Sequence, residues 1–162
     1  MSEQAAQYAD SLDAVNRDFI EVVSNCSDEQ WKQTSTSEGW SVGVIAHHAA
    51  EGHASFNQFL PVITSGSDNI PPVTLDMINA GNAQHAEKYA SVGRPETLEL
   101  LQQNGEILAQ SLRGLSDEQL ATTTKLFGGN PMTVAQIVEH VYVGHPAQHL
   151  ASIRATLNGT AE

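Results

Sequence analysis

The sequence of 162 residues contains a single cysteine and few basic residues. Cys26 has no partner for an intrachain disulfide, and a lone thiol of this kind is most often a small buried hydrophobic residue. Only 7 Lys and Arg residues oppose 19 Asp and Glu residues, so the formal charge of -12 repels the phosphates of nucleic acids and anionic lipid headgroups. We therefore expect no nucleic acid and no membrane among its partners.

Long apolar runs are also absent. None approaches the roughly 20 residues that a transmembrane helix needs, and residues 1–10 lack the basic start and apolar core of a signal peptide. These features predict a cytoplasmic protein. The length predicts one domain over residues 1–162, because a domain of this size buries about 70% of the surface of its unfolded chain.

Apolar residues recur at helical spacing through most of the sequence, which predicts an all-α protein. Ser41 and Thr133 are expected to cap two of the helices. The predicted helices cover residues 4–24, 42–63, 75–89, 95–115 and 134–157. The predicted loops, rich in Ser, Thr, Gly, Pro or Asn, cover residues 33–39, 66–73 and 127–131.

The sequence also contains a short internal repeat. Ser27-Asp28-Glu29-Gln30 returns as Ser116-Asp117-Glu118-Gln119, and each copy precedes one of the two predicted N-caps. Two related helical hairpins are indicated, which favours a bundle with pseudo-twofold symmetry over a solenoid of many repeats.

Three histidines form the most informative pattern. His145 and His149 are spaced i, i+4 and therefore lie on one face of the last helix, in the sector that also carries its core residues. His48 lies on the apolar stripe of the helix over 42–63. Two ligands from one helix and one from another leave a tetrahedral cation with an open position, an arrangement typical of a catalytic metal site.

Neighbouring residues add to this hypothesis. Gly52 and Ser55 are small where a bundle helix normally carries Leu or Ile, which leaves room for a ligand. Glu51 and Tyr142 lie one turn from a proposed ligand and are candidates for proton transfer. The structural alternatives are a solvated Glu51 and a Tyr142 packed in the core.

The remaining histidines receive smaller roles. His47, near the edge of the apolar stripe, and His53, well outside it, could orient a metal ligand by a hydrogen bond. His140 falls on the opposite face of the last helix, and His85 is given no functional role. Pro146 lacks a backbone N–H and is expected to kink the helix between the two paired histidines.

The residues alone leave the role of the histidines open. They could form a catalytic metal site, or a metal site without catalysis. They could also be core residues of a helical dimer whose hydrogen bonds are satisfied within the protein.

Taken together, these motifs resemble the DinB-like superfamily, which includes the YfiT-like metal-dependent enzymes. The resemblance covers most of the chain and rests on Gly39-Trp40-Ser41-Val42, His47-His48 and His145-x-x-x-His149-x-x-x-Ile153-Arg154. It implies an up-down-down-up four-helix bundle with a short additional helix, and a homodimer. It also implies a divalent metal, zinc or nickel, held by His48, His145 and His149.

The resemblance further implies a reaction. Because members of the superfamily include transferases that use low-molecular-weight thiols, the first expectation is thiol S-transfer to a small-molecule substrate, with such a thiol as co-substrate. Metal-dependent hydrolysis is the alternative. Two departures, Ser152 in place of the Gln of many relatives and Pro146 within the histidine pair, concern the substrate contacts more than the metal.

Overall fold

The computed structural model of the protein describes residues 2–67, 73–126 and 129–159. In chain order its elements are α1 (Glu3–Ser24), α2 (Asp28–Lys32), α3 (Val42–Thr64), α4 (Leu75–Lys88), α5 (Arg94–Arg113), α6 (Asp117–Ala121), β1 (Thr123–Lys125), β2 (Pro131–Thr133), α7 (Val134–Ile137), a π-helical segment (Val138–Val143) and α8 (Gly144–Asn158). Across these three ranges, no helix is long and apolar enough to cross a bilayer.

The bundle consists of α1, α3, α5 and the C-terminal stretch from α7 to α8. At one end the core joins the start of α1 with the ends of α3 and α5, and this cluster includes Ala5, Leu12, Leu60, Ile63, Leu108, Leu112, Val134 and Tyr142. At the other end it joins the end of α1 with α8 and the starts of α3 and α5, including Phe19, Val23, Ile45, Leu101, Leu150 and Ile153. The helices therefore run up, down, down and up, as the resemblance predicted.

Polar contacts within the bundle fix the pairing of its helices. Arg113 at the end of α5 binds Asp10 and Asp13 in the first half of α1, so α1 and α5 are antiparallel. Asn104 Nδ2 on α5 donates to the carbonyl of Ala50 on α3 at 2.9 Å. The pairing places α3 beside both α5 and α8.

Asn16 takes a core position on α1. It is buried, whereas its apolar neighbour Val15 is only half-buried. The Asn16 amide can be buried because Nδ2 donates to the carbonyl of Leu101 at 2.9 Å and Oδ1 accepts from His53 Nε2 at 3.1 Å. This side chain thus links α1, α3 and α5 at the centre of the bundle.

The internal repeat corresponds to two short helices that lie outside the predicted helix ranges. Ser27 with Gln30 and Ser116 with Gln119 form reciprocal capping boxes that begin α2 and α6. The strands β1 and β2 pair antiparallel, and β2 ends at the Thr133 cap. Thr34 forms an isolated bridge with Ser41, the other cap. Strands of three residues are too short to produce a detectable alternation.

Most predicted helix boundaries lie within two residues of the observed ones, and Gly159 ends α8 in a left-handed conformation at φ 64°. Cys26 is buried, as predicted. The predicted loops over 66–73 and 127–131 lie partly outside the described residues, at 68–72 and 127–128.

The last helix is interrupted rather than continuous. Pro146 is the third residue of α8, and because it has no N–H it cannot bond to the carbonyl of Tyr142. The α-helical pattern gives way upstream, in the π-helical segment that ends at Val143. His145 and His149 both lie in α8, on the same side of this interruption.

Candidate metal centre

The structure brings the three predicted histidines together. The antiparallel packing of α3 and α8 places His48 against the pair on α8. The Nε2 atom of His145 lies 3.2 Å from that of His48 and 3.1 Å from that of His149. One ligand atom from each of the three side chains lies within 4.8 Å of the other two.

These distances fit a metal ion. Two nitrogens that bind zinc tetrahedrally at 2.0–2.1 Å are about 3.3 Å apart, close to the two separations from His145 Nε2. Hydrogen bonds alone do not account for the cluster, because an imidazole nitrogen carries either one hydrogen or one lone pair. The shared His145 Nε2 can form one well-aligned bond with the other two rings, and not two.

Glu38 orients His149 within this cluster. Both carboxylate oxygens of Glu38 lie 2.9 Å from His149 Nδ1, and each side chain is about 15% exposed or less. Burial opposes ionisation of Glu38, but the hydrogen bond and charge of His149 outweigh it, so the pKa of the carboxyl is lowered. When Nδ1 donates to Glu38, Nε2 is left with a lone pair directed at the other two histidines.

A constrained loop carries Glu38 between α2 and α3. The Ser35 N–H donates to the Trp40 carbonyl at 2.9 Å, and the Gly39 N–H donates to the Ser35 carbonyl at 2.9 Å. Gly39 has φ 71°, a left-handed conformation that favours glycine. Glu38 was not predicted from sequence, although it directly precedes the Gly39-Trp40-Ser41-Val42 motif on which the resemblance rests.

Two half-buried histidines of the cluster are held neutral. Burial, reinforced by the charges of neighbouring histidines, lowers the pKa of His48 to about 4 and that of His145 to about 3. Both rings therefore keep a free lone pair at neutral pH, the form that metal binding requires.

A cavity of about 470 Å³ adjoins the cluster. It is lined by His48, Glu51, Gly52, Ser55, Phe56, Ile78, Asn82, His85, Val141 and His145. The two small residues of α3 line this cavity, as the sequence predicted. The arrangement can hold a small molecule directly against two of the three clustered histidines.

The two candidates for proton transfer occupy different surroundings. Glu51 lines the cavity and accepts a hydrogen bond from the Tyr89 hydroxyl at 3.2 Å. Tyr142 is only 1% exposed and stacks on Phe56 with ring centroids 4.7 Å apart. Burial raises the pKa of Tyr142 far above its usual value. Tyr142 is therefore a packed core residue, the structural alternative to a role in proton transfer.

Three other histidines lie in surroundings that were not predicted from sequence. His53, placed well outside the apolar stripe from sequence, is 0% exposed, so that placement was wrong, and His47, placed near the edge of the stripe, is 1% exposed. The reason is that neighbouring helices cover α3 on more than one side, and a single apolar stripe does not describe it. His85, given no role from sequence, lines the cavity with its ring centroid 5.3 Å from that of His48.

We expect Glu38→Gln to weaken metal binding. Glutamine can still accept a hydrogen bond but removes the negative charge that stabilises the oriented ring, and the loss of such a partner typically costs 10- to 100-fold in affinity, about 1–3 kcal/mol. Competition with a coloured chelator measures the dissociation constant. Glu139→Gln, which removes the same charge from an exposed position of the last helix, is the control. Equal affinities in the two variants would contradict the role assigned to Glu38.

The fold and the cluster define a class, namely four-helix bundles with a three-histidine cluster able to hold a metal ion. The sequence matches the DinB superfamily over residues 11–153. The chain therefore belongs to the DinB superfamily.

A solved structure has the same fold, that of YfiT from Bacillus subtilis, described as a probable metal-dependent hydrolase with an unusual four-helix bundle topology. The two proteins are 19% identical and superpose with a TM-score of 0.77, over 99% of this chain and 91% of YfiT. No curated protein matches the sequence.

Proposed function

We propose that the protein is a divalent-metal-dependent enzyme in which His48, His145 and His149 hold the ion and the adjoining cavity holds a small-molecule substrate. The observation that carries this proposal is the meeting of three Nε2 atoms beside that cavity, whose wall includes His48 and His145. Imidazole donors suit zinc and nickel, which we propose as the ion. A homodimer in the cytoplasm, expected from sequence, remains part of the proposal.

The chemistry follows from the charge of the ligands. A divalent cation held by neutral imidazoles keeps its positive charge and, as a Lewis acid, favours the deprotonated form of a thiol or a water molecule beside it. Around it, the protein's own residues hold the donors in place. Glu38 fixes the ring of His149, and burial keeps His48 and His145 in the neutral form.

The cavity favours an organic substrate without strong negative charge. Phe56, Ile78 and Val141 supply apolar surface, while Asn82 and Glu51 supply polar groups. Within the described part of the chain, the lining contains no Lys or Arg that could pair with a phosphate or a polyanion. We propose that the enzyme transfers a low-molecular-weight thiol to an electrophilic small molecule, which the apolar wall would hold.

Hydrolysis is the second candidate, and one specific observation favours it. The Glu51 carboxylate lines the cavity and is 44% exposed, so it can accept a proton from a water molecule. YfiT, which shares the fold, is described as a probable hydrolase.

Turnover with and without a thiol tests the proposal. Protein loaded with zinc or nickel is assayed against small alkylating electrophiles and activated esters, each in the presence and absence of a low-molecular-weight thiol. We expect consumption of the electrophile to fall at least tenfold when either the thiol or the metal is removed. Ester cleavage independent of thiol would establish the hydrolase instead. Inactivity in every arm would overturn the enzymatic proposal and leave a metal-binding protein without catalysis.

A further inference from the structure

A second cluster of metal-binding side chains lies beside the three-histidine cluster. His47 Nδ1 on α3 is 2.9 Å from His85 Nε2 on α4, and the same His85 atom is 3.7 Å from Glu51 Oε2. One ligand atom of each side chain lies within 4.8 Å of the other two. Two imidazoles and one carboxylate form the donor set that many catalytic zinc and iron sites use.

We propose that His47, His85 and Glu51 bind a second divalent cation, next to the one held by the three histidines. The site goes beyond the proposed function, which needs only the first ion. Its charge differs as well, because a carboxylate supplies one donor here and neutral imidazoles supply all three donors there.

Tyr89 organises the second cluster. Its hydroxyl donates to Glu51 Oε1 at 3.2 Å, which holds the carboxylate so that Oε2 is the oxygen nearer to His85. Its ring packs against His47 with centroids 3.9 Å apart and against His85 with centroids 4.8 Å apart. One tyrosine thus contacts all three proposed ligands, as an orienting residue of a metal site does.

The two clusters share one cavity. His47 and His48 are consecutive on α3 and belong to different clusters, and the rings of His85 and His48 form a T-shaped contact with centroids 5.3 Å apart. The cavity wall contains His48 and His145 from the first cluster, and Glu51 and His85 from the second. A substrate in this cavity would meet both cations, and adjacent ions of this kind can act on two atoms of the same substrate.

Metal content tests the proposal without any assay of activity. Metal-free protein is incubated with excess Zn²⁺, desalted and analysed for zinc per chain. We expect two ions in the wild type, one in His85→Ala and one in His145→Ala. His140→Ala, which removes an exposed histidine, should retain two. Because α4 contributes no fully buried residue among those described, His85→Ala is expected to leave the bundle folded, which circular dichroism checks.

Co²⁺ titration provides a second measurement. We expect two binding phases in the visible spectrum of the wild type, and Glu51→Gln should weaken only one of them, by at least tenfold. The Glu51 variant keeps the size of the side chain, so it tests the ligand even where His85→Ala alters the packing of α4.

The results separate this proposal from the first. One ion in the wild type, lost in His145→Ala and kept in His85→Ala, would overturn the second site and leave the three-histidine site standing. Two ions kept in His85→Ala and in Glu51→Gln would also overturn it. No zinc in the wild type would overturn both sites.

Discussion

Replacing His145 by alanine is expected to lower the affinity of the three-histidine site for a divalent metal by at least about 10²-fold and to remove metal-dependent activity with it. His145 is the histidine whose Nε2 contacts both of the others, at 3.2 and 3.1 Å. Four-ligand zinc sites bind with about 10–16 kcal/mol, so one ligand is worth about 3 kcal/mol. A difference of that size is more than a hundredfold in the dissociation constant. Chelator competition measures it.

His140→Ala is the matched control for this prediction. It removes the same type of side chain from the same helical stretch, but at an exposed position. We expect its affinity and its activity to equal those of the wild type. Wild-type metal content and wild-type activity in His145→Ala would remove the three-histidine site from the mechanism.

Replacing Gly105 by alanine is expected to lower the free energy of unfolding by about 2–4 kcal/mol. A Cβ at this position on α5 would lie 2.3 Å from Asn16 Nδ2 and 2.8 Å from its Cγ. Asn16 has little freedom to retreat, because its amide is buried and bonded to the Leu101 carbonyl and to His53. The variant must therefore either shift α5 or break these buried hydrogen bonds. Urea denaturation measures the change.

Two further variants show whether the contact with Asn16 is the cause. Gly81→Ala lies on α4, where an added Cβ meets nothing within 4 Å among the described residues. We expect this variant to raise the free energy of unfolding by up to about 1 kcal/mol through helix propensity. In an Asn16→Ala background, Gly105→Ala should lower the free energy of unfolding much less, because the clashing amide is gone. If Gly105→Ala lowered the free energy of unfolding by the same amount in that background, contact with Asn16 would not be the cause.

The sequence predicted the fold and the three-histidine cluster because both depend on regular helical spacing. The i, i+4 interval of His145 and His149 places them on one face whatever the rest of the chain does. The position of His48 on α3 then needed only an antiparallel neighbour. The DinB resemblance supplied that topology, and the structure has it.

The surroundings of the cluster could not be predicted in the same way. Glu38 comes from a loop and His85 from α4, and the spacing within one helix says nothing about a contact between separate elements. His53 was misplaced for a related reason. A helical-wheel projection of α3 assumes one buried face, whereas packing against several helices buries His53 as well as Ile45 and Ile63.

Asn16 illustrates the same limit for the core. A polar side chain on an apolar stripe is normally assigned to the surface, and only its partners make burial favourable. Those partners, the Leu101 carbonyl and His53, are 85 and 37 residues away in sequence. Long-range pairing of this kind leaves no local signal.

The π-helical segment over Val138–Val143 bears on how the length of this chain can vary. A wide turn accommodates an additional residue locally, so the helix beyond it keeps its orientation. An insertion within a regular α-helix instead rotates everything that follows by about 100° and would turn His145 away from His48. Relatives one residue shorter in this stretch are therefore expected to carry an uninterrupted α-helix with their histidines in the same place.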